Sequence, residues 1–200
     1  AAFDFGFALG PRINAAGRLS DMSMGIECLL SDDPAQALRL AQALDAVNRQ
    51  RREVESGMNE QAQAALERLL PAEHSAPPSA LSLFDPQFHE GVVGIVAGRL
   101  KDRLHRPTFV FARGADGLLK GSGRSIPGFH LRDALDLVAK RHPGVLLRFG
   151  GHAMAAGCTI HEDGLDAFEQ GLAQVASEWL DAETLQRRLE TDGPLDPRYR

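Results

Sequence analysis

The sequence predicts an α/β protein: a mixed β-sheet flanked by helices, preceded by a long connector helix. Three observations carry this. Apolar residues from Pro34 to about Leu70 recur at helical spacing without a breaker strong enough to stop them. After residue 80, short apolar runs alternate with amphipathic segments in the order βα, ββ, α, ββ, α. The turn Gly114-Ala115-Asp116-Gly117 joins two of those runs as a hairpin, so crossovers and hairpins share one sheet.

Residues 1–20 are rich in Gly and Ala and lack periodicity, and Gly10-Pro11 interrupts regular structure, so the segment reads as a loop carrying Arg12, Asn14 and Arg18. Met22 to Leu30 reads as a short helix. Asp33-Pro34 opens the next one, with an N-cap carboxylate followed by proline at the first helical position. Leu38, Ala41, Leu44, Val47, Val54, Met58, Ala62, Ala65 and Leu69 keep one face, with a lapse at Arg51. At a rise of about 1.5 Å per residue this helix reaches roughly 55 Å, longer than a small domain is wide, which makes it a connector. Gly57 marks a candidate bend.

Pro71 to Ser79 is a Pro/Ala/Ser-rich linker. Ala80 to Phe84 reads as a buried strand, Val92 to Leu104 as a helix, and Thr108–Ala112 with Leu118–Arg124 as the hairpin. His130 to Arg141 presents Leu131, Ala134, Leu135 and Val138 on one face. Val145-Leu146-Leu147 and Ala153 to Ile160 are strand-like runs on either side of a tight turn bearing Gly150, Gly151 and His152. Leu165 to Leu180 is a final long helix, and residues 181–200 read as a short helix and tail.

Net charge is −5, which argues against a general nucleic-acid coat. Between residues 99 and 148, however, eleven Lys and Arg stand against four Asp. A positive face and ordinary solvated helix faces both fit that excess. Cys28 and Cys158 have no metal or redox spacing and read as reduced thiols of a cytoplasmic protein. No run is apolar enough to span a membrane, and the opening residues carry no secretory signal; they read as the start of a piece of a longer chain.

Three Gly-bearing segments fall at junctions of the second half. His89-Glu90-Gly91-Val92-Val93-Gly94 opens a helix whose free N–H groups favour an anion, with a plainly capped helix as the alternative. Lys120-Gly121-Ser122-Gly123-Arg124-Ser125 combines backbone N–H groups, two hydroxyls and a guanidinium, a set suited to phosphate, although a plain glycine-bearing strand fits too. The third is the turn with His152, whose imidazole suits a phosphoryl oxygen or developing negative charge. His161-Glu162-Asp163 reads as a helix cap. No set of carboxylates and imidazoles has metal-binding spacing, so the chain is equipped to hold a phosphate rather than to cleave one.

Taken together, Gly10 to Leu19, His89 to Leu100, Gly121-Ser122-Gly123-Arg124-Ser125 and Phe149 to Gly157 resemble the RecJ family, single-strand-specific DNA exonucleases of the DHH phosphoesterase superfamily. The resemblance implies that residues 1–30 end the catalytic DHH domain, 31–79 are connector helix and linker, 80–181 are the DHH-associated substrate-binding domain, and 182–200 lead to a further domain. It implies two Mn2+ or Mg2+ ions held upstream of this chain, none within it. Ser122 and Arg124, with Gly123 and Ser125, match the grip on a 5′ phosphate. His152, with Gly150 and Gly151, matches the loop facing the scissile phosphate. Arg12, Asn14 and Arg18 match a segment lining the strand's path, Arg18 foremost. The implied ligand is single-stranded DNA with a 5′ phosphate, with a helicase and a single-strand-binding protein as candidate partners, in DNA repair and recombination. Phe3, Phe5, Phe7 and Phe129 are candidates for base stacking, with buried packing the preferred reading. Two other classes fit the same residues: a non-catalytic nucleic-acid-binding module, like the associated domain of alanyl-tRNA synthetases, and a DHH-type phosphodiesterase of small nucleotides or oligonucleotides.

Overall fold

A computed structural model describes residues 2–69, 78–188 and Gly193. Its first part is helical. A π-helical stretch, Asp4–Leu9, runs into α1 (Gly10–Leu19), followed by α2 (Ser23–Leu30) and α3 (Pro34–Leu69). The loop expected over residues 1–20 is therefore a helix. Pro11 sits in the first turn of α1, where its missing N–H costs nothing. Fully buried Ala15 and Ala16 let α1 lie close against α3. Arg12 ties the two, donating to Asp45 at 2.8 Å.

α3 spans 36 residues, about 54 Å, and runs unbroken through Gly57. Its lapse at Arg51 has a partner: Arg51 donates to Asn48 and pairs with Glu55. Glu55, only 4 % exposed, also pairs with Arg99 on α4 (Val93–Leu104). The connector is thus fastened to the second half by buried charge as well as by Met58 and Ala62 against Val93 and Val96. The expected linker lies largely outside the described residues, as does most of the tail; residues 181–188 form turns rather than the short helix expected.

Five strands follow: β1 (Leu81–Phe84), β2 (Thr108–Arg113), β3 (Leu119–Arg124), β4 (Arg148–Gly151) and β5 (Ala155–Ile160), in the sheet order β1-β2-β3-β5-β4. β1 and β2 are parallel across the α4 crossover, and the other pairings are antiparallel, so the sheet is mixed as expected. α5 (Leu131–Arg141) and α6 (Leu165–Trp179) cover one face, where Phe168 sets its ring edge against Phe109 and Phe111 at 5.2 and 5.1 Å. On the other face, α3 and α4 cover Leu81, Leu83, Val110 and Ala112. That roof ends over β3, leaving one face of β5-β4 open, with Gly157, Gly150 and Arg148 exposed.

The run Val145–Leu147, expected as a strand, is a loop whose Val145 and Leu146 pack on the core. β4 begins at Arg148, so the paired glycines lie within the strand and the turn comes afterwards, at His152–Met154. The pairing Arg148↔Thr159 sets this frame, with the Leu147 N–H donating to the Thr159 carbonyl at 2.9 Å as the lead-in.

Candidate functional site

β3 alternates faces, as any strand does. Lys120, Ser122 and Arg124 point to the open side. Gly121 and Gly123 point to the core, where an added Cβ would meet the Phe111 ring at 2.4 Å and the Phe109 ring at 2.5 Å. Gly123 therefore turns its side-chain face to the core. Ser125, 1 % exposed, donates its hydroxyl to the Phe129 carbonyl at 2.7 Å and is likewise committed to the core.

Opposite β3, α1 delivers Arg18 and α4 delivers its first turn. The Arg18 guanidinium donates to the Gly91 carbonyl at 3.2 Å, and a Cβ on Gly91 would meet the Arg18 carbonyl at 2.3 Å, so glycine is what allows this docking. A Cβ on Gly94 would lie 2.9 Å from both Ser122 Oγ and Arg124 Nη2. Gly91 and Gly94 were legible only as part of a helix opening; their steric role depends on partners distant in sequence. The result is a cleft of about 450 Å³ lined by Arg18, Glu90, Gly94, Lys120, Ser122 and Arg124 among others.

The cleft suits an anion. Arg124 donates to the Gly123 carbonyl at 2.8 Å, with Ser122 Oγ at 3.4 Å. Burial, and then the facing Arg18 guanidinium, push Arg124 below the ordinary arginine range. Among the described residues neither arginine pairs with a carboxylate. Among the described residues no side chain caps α4, so its first N–H groups, at Val93 and Gly94, open on the same space. Glu90 is the one acid of the lining, against Arg18, Arg124 and Lys120.

A second groove, also about 450 Å³, shares Lys120 and Gly121 with the first and continues across β5 to Arg148 and Thr159. Beyond it comes the turn with His152. Gly151, at φ +138°, has a conformation that side chains disfavour, and a Cβ there would meet Ala156 Cα at 2.4 Å. Gly150 differs: a Cβ there meets nothing within 4 Å. The turn is pinned at three points, by His152 N–H to the Ala155 carbonyl at 2.8 Å, Leu131 N–H to Ala153 at 2.9 Å and Ser125 N–H to Met154 at 3.0 Å. The His152 side chain is exposed.

The expected site residues therefore divide. Arg18, Ser122 and Arg124 converge; Gly150, Gly151 and His152 form the neighbouring strand end and turn. Asn14 is exposed one helical turn before Arg18, on the same side of α1. Arg12 lies apart, committed to Asp45 and the Ala8 carbonyl. Phe129 is buried against Trp179, whereas Phe3, Phe5 and Phe7 are each at least 67 % exposed, contrary to the buried packing preferred for them. Glu162 pairs with Arg113 in the turn that enters α6.

A mixed sheet with an arginine-lined cleft at a helix start makes this an α/β module whose open cleft is suited to an anion. The chain belongs to the DHHA1 domain family, whose pattern matches residues 78–179. It is 54 % identical over 194 residues to the single-stranded-DNA-specific exonuclease RecJ of Dickeya dadantii, and 50 % identical over 197 residues to that of Escherichia coli; the matches take in 97 % and 98 % of this chain and 34 % of each relative. The chain thus spans about a third of their length. Its structure matches Mg2+-bound RecJ from Thermus thermophilus with a TM-score of 0.77 at 34 % identity, over 90 % of this chain and 27 % of that one; the Mn2+ complex gives 0.76 at 35 %, over 90 % and 25 %. The resemblance carried by the four motifs holds along nearly the whole chain. Among the described residues no three His, Cys, Asp or Glu side chains converge to hold a metal ion, so the residues present do not fit the ions of those structures. No helix described is long and apolar enough to cross a membrane.

Proposed function

We propose that this chain is the substrate-binding portion of a 5′-to-3′ exonuclease specific for single-stranded DNA, acting in DNA repair and recombination in the cytoplasm. The observation that supports it is the facing pair Arg18 and Arg124, neither in an ion pair among the described residues, beside Ser122 and the start of α4. We assign the 5′ phosphate to this cleft: Arg124 and Arg18 supply forked donors, Ser122 a hydroxyl, and the helix start its N–H groups. His152, on its pinned turn, is assigned to the scissile phosphate, where an imidazole donor opposes developing charge. Residues 1–30 would end the catalytic domain, 31–79 connect, 80–181 hold the substrate, and 182–200 lead onward. The Mn2+ or Mg2+ chemistry belongs to a DHH domain beyond this chain, so the chain by itself is inactive. A helicase and a single-strand-binding protein are the proposed partners.

Fluorescence anisotropy with a short oligothymidylate tests the assignment. A 5′-phosphorylated strand binds about tenfold or more tightly than its 5′-hydroxyl counterpart, the range of charge-assisted hydrogen bonds, and Arg124→Ala abolishes that ratio. Equal affinity of the unaltered chain for both ends overturns the phosphate pocket.

A further inference from the structure

The groove over β3-β5-β4 has no assigned role, and three of its features point to one. Its register row Lys120↔Thr159↔Arg148 crosses three strands on the open face, the backbones at the ends lying about 9.6 Å apart. Arg148 is exposed and, among the described residues, makes no ion pair; Lys120 lines both cavities and is held by Asp116 at 2.6 Å. Thr159 is 9 % exposed, lines the groove, and its hydroxyl has no hydrogen bond among the described residues. The adjacent row, Ser122↔Gly157↔Gly150, gives the groove a floor of bare backbone. The protein's own packing does not explain those glycines: a Cβ on Gly157 would make only an ordinary 3.5 Å contact, and one on Gly150 none within 4 Å.

We infer that Arg148, Thr159 and Lys120 form a second phosphate subsite, separate from the Arg18–Arg124 cleft, that binds a phosphate group of a nucleotide ligand over the Gly157–Gly150 floor. The inference rests on the reading of the open face as a nucleic-acid interface. The planar guanidinium offers paired donors, the Thr159 hydroxyl one more, and the glycines let the sugar–phosphate lie against backbone. The same chemistry accepts an internal phosphate of a DNA strand or the phosphate of a released 5′-mononucleotide.

Arg148→Ala and Thr159→Val in the full chain separate this subsite from the cleft. Arg148 is an exposed edge-strand residue and Thr159→Val nearly keeps its shape, so both variants are expected to keep the melting temperature of the unaltered chain. Anisotropy titrations use 5′-phosphorylated and 5′-hydroxyl oligothymidylate at several salt concentrations, with thymidine 5′-monophosphate and inorganic phosphate as competitors. Arg148→Ala is expected to weaken both oligonucleotides by about tenfold and to lower the log–log salt slope by about 0.7, one phosphate contact on a single strand, while leaving their affinity ratio intact. Arg148→Lys keeps the slope. A loss confined to the oligonucleotides places the strand's phosphate there; a loss confined to competition by the mononucleotide or inorganic phosphate places the product there. Unchanged affinity and slope for every probe in both variants overturns the subsite. Loss of the 5′-phosphate preference in the unaltered chain would overturn the cleft assignment alone.

Discussion

At the residue scale the adjacent glycines of β4 do opposite work. Gly151 is required by the chain itself, through its positive φ and the approach of Ala156. Gly151→Ala is expected to cost about 2–4 kcal/mol in urea unfolding, from a strained backbone and a forced displacement of β5. Gly150→Ala is expected to change stability by no more than about 0.5 kcal/mol, since its Cβ enters open space, yet to weaken oligonucleotide binding. Measured together, the pair separates the glycine that the fold needs from the one proposed to face the ligand. Sequence alone made both look like parts of one turn. The distinction depends on β5, whose pairing with β4 decides which glycine meets Ala156. Gly123 and Ser125 turn to the core, which the sequence hides for a related reason: a glycine–hydroxyl alternation looks the same in sequence whether it faces phosphate or phenylalanine rings.

At the element scale, helices with strong periodicity were legible: α3, α5 and α6 lie within a residue or two of expectation. So was the β2–β3 hairpin, which its Gly-bearing turn announces. α1 was not legible, because its helical state comes from burial of Ala15 and Ala16 against α3 rather than from any apolar stripe of its own. The layer of α5 and α6 also carries an electrostatic clamp, Arg141 to Glu178, at 2.8 and 2.9 Å. That guanidinium holds the Glu178 carboxyl below its ordinary value of 4.5. A depressed carboxyl stabilises the native state above its unfolded pKa, and the effect disappears as pH falls through the folded one. Unaltered chain is therefore expected to melt above Glu178→Gln at neutral pH, the difference shrinking and then vanishing as pH falls below the ordinary carboxyl value; thermal melts followed from neutral to acid pH check it.

At the scale of the whole molecule, one helix joins two parts through a buried acid. Glu55, held by Arg51 and Arg99, bridges α3 to α4, and α4 in turn presents Gly94 to the cleft. Removing one member of a buried ion group leaves the others unsatisfied, so Glu55→Ala is expected to cost about 3 kcal/mol in urea unfolding, moderated by the solvent exposure of Arg99. The rings of Phe3, Phe5 and Phe7, at the helical start of the chain ahead of α1, are exposed. β3 is where core and cleft meet, since its odd residues fill the core against Phe109 and Phe111 while its even residues line the ligand cavities. A shift of one position along that strand would drive Lys120, Ser122 and Arg124 into hydrocarbon and turn Leu119 outward. The hairpin turn Gly114–Gly117 is consequently a ruler: its composition is free to drift over evolutionary time, but the loss or gain of a single residue there would erase the binding surface and the core in one event.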